Sequence, residues 1–127
     1  MKHLSILGAI ACGASIGAIL RYFSTLLCIQ YFGAGFPFGT LLVNLLGSLG
    51  IGLVLGWTQI GELNEHLKVF LTIGLFGALT TFSTYSSDTW LLLQAQQWLK
   101  AILNIGLNTF LCLGMIYLGQ LIMLSRI

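Results

Sequence analysis

Apolar residues fill four long stretches of the chain, and short polar or turn-rich connections separate them. The first stretch runs from Leu4 to about Leu27 and the second from Phe38 to Trp57. The third runs from about Val69 to Gln94, and the fourth from Trp98 to about Leu124. A helix crossing a bilayer needs roughly 20 apolar residues, so each stretch predicts one membrane span (4–27, 38–57, 69–94 and 98–124). Gly33, Gly35 and the single proline, Pro37, predict a turn between the first two. Thr58 to Lys68, with Glu62, Asn64, Glu65, His66 and Lys68, is the most polar stretch and predicts a surface loop. Trp57, Trp90, Trp98 and Tyr117 stand near the proposed ends, where amphipathic rings prefer the headgroup level. No internal repeat or domain boundary interrupts the pattern. The expectation is one all-α, four-helix transmembrane domain over residues 1–127.

Composition sharpens this. Of 127 residues, 57% are hydrophobic and 6% charged, against about 25% charged in an average soluble domain. So few charges exclude a soluble enzyme or a nucleic-acid binder. The spans take up about 80 to 100 residues and leave no room for an extramembrane domain. Lys2 ahead of an apolar run resembles the start of a signal peptide. That run continues to Leu20, and every later segment is hydrophobic too, so it reads as a span. Cys12, Cys28 and Cys112 form no CxxC pair and no cluster with histidine, which gives no metal site. Thirteen of the sixteen glycines fall in or at the start of spans, as tight helix contacts require. With four spans, Lys2, Lys68 and Arg126 lie on one side, and Arg21 and Lys100 on the other. An imbalance of one charge sets orientation weakly and permits insertion both ways up, hence an antiparallel dimer.

The third segment is anomalous. Thr80-Thr81-Phe82-Ser83-Thr84-Tyr85-Ser86-Ser87-Asp88-Thr89 is dense in hydroxyls, and Gly74 and Gly77 precede it. Ser and Thr side chains compete for backbone groups, so an interruption is expected between about Gly77 and Thr81. Such breaks are tolerated at membrane depth where they line a cavity or are buried in protein, and their freed carbonyls suit a cation. A continuous helix with back-bonded hydroxyls is the alternative.

Two polar stripes complete the inventory. Thr40, Asn44 and Ser48 recur every fourth residue on the second span, and Asn104, Asn108 and Cys112 do so on the fourth. They serve as helix glue, as pore lining, or as both. Asp88 is the only acid within a span, whereas a proton-coupled cation transporter needs an acid at depth. Hydroxyls, amide NH2 groups and aromatic edges instead offer positive partial charge, which suits a small anion exchanging its hydration shell for neutral donors. Arg21 either attracts anions to an entrance or snorkels to the interface.

Three runs carry a resemblance: Gly13-Ala14-Ser15-Ile16-Gly17-Ala18-Ile19-Leu20-Arg21-Tyr22, Pro37-Phe38-Gly39-Thr40-Leu41-Leu42-Val43-Asn44, and Gly77-Ala78-Leu79-Thr80-Thr81-Phe82-Ser83-Thr84-Tyr85-Ser86. They resemble the bacterial fluoride channel family, Fluc or CrcB, over all four spans. The resemblance implies an antiparallel dual-topology homodimer in the bacterial inner membrane, with two fluoride pathways that confer fluoride resistance. It also implies a structural sodium ion at the dimer centre, held by the backbone carbonyls of Gly77 and Thr80 and not transported. By position, the fluoride pathway falls on Asn44, Phe82, Ser83, Tyr85, Asn108 and Cys112. Tyr85 stands where the family has phenylalanine, and Cys112 and Ile116 where its polar track has serine and threonine. Asp88 stands where glutamate is more usual.

The resulting expectation is a passive, non-enzymatic fluoride exporter among membrane lipids, with no nucleotide motif and no nucleic-acid partner. Asn44, Ser83 and Asn108 would donate hydrogen bonds to the ion, and the ring edges of Phe82 and Tyr85 would face it. The alternatives are a small dual-topology multidrug antiporter, whose family carries a glutamate in the first span, a non-conducting subunit, or one half of a heterodimeric fluoride channel.

Overall fold

A computed structural model describes residues 1–126, apart from the side chain of Lys2. Lys2 and its part in the charge count therefore lie outside the described side chains. Helix α1 spans Lys2–Phe32 and α2 spans Phe38–Ile60. Helix α3 is composite: an α turn Glu65–Val69, a π-helical stretch Phe70–Phe76 and a last α turn Gly77–Leu79. Helix α4 is Phe82–Gln94. Helix α5 starts as Trp98–Gly106, passes through a π-helical stretch Leu107–Leu111 and ends as Cys112–Leu124. Among the described residues, four apolar helical runs, with α3 and α4 taken as one bent run over Glu65–Gln94, are long enough to cross a membrane.

Two differences from the sequence reading have local causes. The polar connection is shorter than 58–68: α2 continues to Ile60, and Asn64 Oδ1 accepts the His66 N–H at 2.8 Å, capping a helix that starts well before Val69. Helix α1 is longer than its apolar stretch. It ends where Gly33, at φ 76°, takes a left-handed conformation open to glycine and donates its N–H to Ile29 O. Arg21 therefore lies about three turns below the helix end and is half-buried.

Small residues set the packing. Helix α1 crosses α3 where Gly13 faces Gly74: a Cβ on Gly74 would stand 2.8 Å from Ile10 O and 3.0 Å from Gly13 Cα. Helix α2 crosses α5 at Gly52 and Gly119, and a Cβ on Gly119 would stand 2.8 Å from Leu53 N. Backbones this close gain dispersion and polar contacts, which drive association in lipid where the hydrophobic effect between helices is weak. The ends of the bundle are tied as well. Ser5 Oγ and His66 Nε2 are hydrogen-bonded at 2.9 Å at one end, and Lys100 Nζ donates to Gly35 O at 2.8 Å at the other.

Candidate functional site

The bent run breaks at two residues. Thr80 (φ −76°, ψ 157°) and Thr81 (φ −152°, ψ 111°) are extended between the α turn that closes α3 and the first turn of α4. On the α3 side, Thr80 N and Thr80 Oγ1 both donate to Phe76 O, at 3.0 and 2.9 Å. On the α4 side, Thr81 is the cap: its Oγ1 accepts Thr84 N–H at 3.1 Å and donates to Thr84 Oγ1 at 2.9 Å. The sequence run of hydroxyls thus supplies both ends of the interruption it predicted. Among the described residues, no backbone N–H donates to the carbonyls of Gly77 or Thr80.

Helix α2 stabilises the break from the side. Asn44 Oδ1 accepts Thr81 N–H at 2.8 Å, and Asn44 Nδ2 lies 3.4 Å from Thr81 O. One amide therefore replaces the helical partners that Thr81 lost, which a low-dielectric setting makes valuable. Asn44 Nδ2 also donates to Asn108 Oδ1 at 2.9 Å, tying α2 to α5. Asn108 Nδ2 donates in turn to Asn104 O and Oδ1, both at 3.0 Å.

Around this junction lies a groove of about 390 Å³. Helix α2 contributes Asn44, Gly47, Ser48 and Ile51 to its wall, and the break and α4 contribute Thr80, Thr81, Phe82 and Tyr85. Helix α5 contributes Asn108, Thr109, Cys112 and Ile116. Among the described residues, no charged side chain lines it. The rings of Phe82 and Tyr85 stand one turn apart with centroids at 5.4 Å and an interplanar angle of 50°. Phe82 is 79% exposed and Tyr85 half-buried.

Five of the six pathway residues expected from the sequence, Asn44, Phe82, Tyr85, Asn108 and Cys112, share this groove. Ser83 lies outside its lining, exposed on α4 with its Oγ 3.4 Å from Thr81 Oγ1. Gly77 also lies outside the groove, exposed on the last turn of α3. Sequence reasoning missed the role of Thr81, although four residues of its run are threonines or serines bracketing an aromatic. It also missed the pairing of Thr40 with Asp88.

That pair belongs to a second cavity of about 360 Å³, beside the Gly33–Pro37 turn. Thr40 Oγ1 donates to Asp88 Oδ2 at 2.6 Å. Thr25, Cys28, Phe36, Thr84 and Gln97 are among the other lining residues. Asp88 thus stands at the end of the bundle marked by this turn and outside the groove.

Known proteins are similar to this chain. Residues 8–120 match the model of the family described as CrcB-like protein, Camphor Resistance (CrcB). Three relatives named "Fluoride-specific ion channel FluC" come from Shewanella frigidimarina (strain NCIMB 400), Shewanella baltica (strain OS185) and Shewanella woodyi (strain ATCC 51908 / MS32). They are 55%, 54% and 51% identical over 118 residues, 93% of this chain and 95% of each relative.

Proposed function

This chain belongs to the CrcB-like family, and we propose that it is a fluoride-selective passive channel that lets cytoplasmic fluoride leave the cell down its gradient. It is not an enzyme. The observation that carries the reading is the uncharged groove at the helix break, walled by amide, hydroxyl, thiol and aromatic groups. A small anion sheds water only if donors replace it, and neutral donors let it leave again.

The roles follow from the hydrogen bonds. Asn44 Nδ2 has one short bond, to Asn108 Oδ1, and one long contact of 3.4 Å, to Thr81 O. The second N–H is the donor that fluoride takes, because giving up a long contact costs little. Asn108 serves chiefly as the acceptor that aims Asn44. Phe82 and Tyr85 present ring edges to the ion, and Cys112 adds a weak thiol donor. Ser83 serves from the exposed face of α4, where a second chain would pack.

A second copy in antiparallel orientation is part of this reading. Ser83, Thr84, Ser86 and Ser87 are exposed on α4 in the single chain, and lipid would leave their hydroxyls poorly satisfied. Arg126 and Lys68 against Arg21 and Lys100 give the orientation little bias. The partner-free carbonyls of Gly77 and Thr80 fit a hard cation, which prefers oxygen ligands. Two chains bring four such oxygens, and sodium held between them would brace the pair without moving across. The bacterial inner membrane is the location this function requires.

Reconstitution of the purified chain in liposomes tests the reading: fluoride efflux is expected, chloride efflux is not. Absence of fluoride efflux would overturn it. Efflux that returned only on adding a second, different chain would mark this one as half of a heterodimer.

A further inference from the structure

Asn104 is buried to 0% exposure, yet it does not line the groove. Its Nδ2 donates to Thr89 Oγ1 at 2.9 Å, and Thr89 Oγ1 donates to Tyr85 O at 2.8 Å. A hydroxyl has one hydrogen, so that donation leaves Thr89 Oγ1 as an acceptor and fixes which way the Asn104 amide faces. Asn104 Oδ1 then accepts from Asn108 Nδ2, and Asn108 Oδ1 accepts from Asn44 Nδ2. Asn44 Oδ1 accepts Thr81 N–H. The series has one direction throughout. It leaves the helix break at Thr81, crosses α2 and α5, and ends on α4 at the carbonyl of the pore aromatic Tyr85.

We propose that Asn104 is a positioning residue for the ion pathway: anchored on Thr89, it secures the amide orientation of Asn108 and, through it, that of Asn44 on the groove wall. The inference rests on the fluoride-channel reading above. Without the Asn104 side chain, Asn108 Nδ2 loses one of its two acceptors, Asn104 Oδ1, and keeps only the backbone Asn104 O, so the amide is held less firmly against a flip that would turn NH2 toward Asn44 Nδ2. Asn44 would then swing, and Thr81 would lose its bond. Directional chains of this kind strengthen link by link in a low dielectric.

The test is a double-mutant cycle on the full chain in liposomes, read by a fluoride electrode. Asn104→Leu, close in volume, is expected to slow fluoride efflux roughly three- to tenfold, the worth of one hydrogen bond, with an unchanged elution volume. In an Asn44→Ala background the same substitution is expected to add nothing, because its effect passes through Asn44. Thr89→Val, which keeps its shape and removes the anchor, should slow efflux in the same direction, and it keeps the test open if Asn104→Leu misfolds. Wild-type efflux in Asn104→Leu or Thr89→Val would overturn the inference, and so would full additivity with Asn44→Ala. If the wild-type chain passed no fluoride, the channel reading would fall separately. The same cycle read on melting midpoints would then decide the series, coupling supporting it and additivity overturning it.

Discussion

The carboxamide of Asn44 brackets the backbone of Thr81, with Oδ1 2.8 Å from the Thr81 N and Nδ2 3.4 Å from the Thr81 O. Two elements 37 residues apart are thereby joined at the point where a membrane helix gives up its own hydrogen bonds. The helix break and the polar groove are one construction, since the residue whose amide completes the broken backbone also lines the groove.

Asn44→Ala removes that bracket and leaves the Thr81 N–H unpaired. It is expected to destabilise the chain by about 1 to 3 kcal/mol, the penalty of an orphaned buried donor. Fluoride efflux from liposomes should fall with it, while size-exclusion chromatography still shows the oligomer. Unaltered efflux would remove Asn44 from the pathway.

Asp88→Asn keeps an oxygen for Thr40 Oγ1 and removes the one acid of the hydroxyl-dense stretch Thr80–Thr89. Fluoride efflux should persist in this variant with no proton gradient applied. Transport of an organic cation that needs both Asp88 and a proton gradient would establish the antiporter alternative instead.

Gly47 leaves room for the Thr80 methyl, since a Cβ there would run into Thr80 Cγ2. Gly47→Ala should push the break away from α2 and cost about 1 to 3 kcal/mol, as overpacking does. Paired measurements of melting midpoint and efflux should show both falling. A drop in stability alone would uncouple the break from the pathway.

Cys112→Ser replaces a weak donor with a stronger one on the groove wall. Efflux is expected to rise, or fluoride to bind more tightly at equal rate, with no change in elution. No effect on either quantity would place Cys112 off the path.

Sodium should act on the assembly and leave the driving force alone. Replacing it with N-methylglucamine is expected to lower the melting midpoint of the detergent-purified oligomer, by the linkage of any ligand bound only to the native state. Imposing a sodium gradient should not drive fluoride uphill. A midpoint indifferent to sodium would empty the proposed carbonyl site.

Much of this was legible from residue order. The four apolar runs and the hydroxyl-dense stretch after Gly77 announced four helical crossings and a bend, and the bend stands at Thr80 and Thr81. The i+4 stripes on the second and fourth runs were legible as helix glue or pore lining, and the structure joins them where Asn44 meets Asn108. Ser83 was harder to place. Its neighbours Phe82 and Tyr85 face the groove, but the 100° step of a helix turns the residue between them away. The resemblance assigns Ser83 by position, and matching by position does not resolve one such step. The π-helical stretches at Phe70–Phe76 and Leu107–Leu111 left no sequence signal either.

Residue order by itself determined the solvent this chain lives in and the number of its crossings. It also set the place where a helix must stop, because burial of apolar length and competition by hydroxyls are local properties. The tertiary structure decided which amide completes which backbone group, and which way each amide faces. Those depend on directional bonds a few ångströms long between residues distant along the chain. Hydrophobic pattern has no direction, and so it could bring Asn44, Asn104 and Asn108 to one interface without stating who donates to whom.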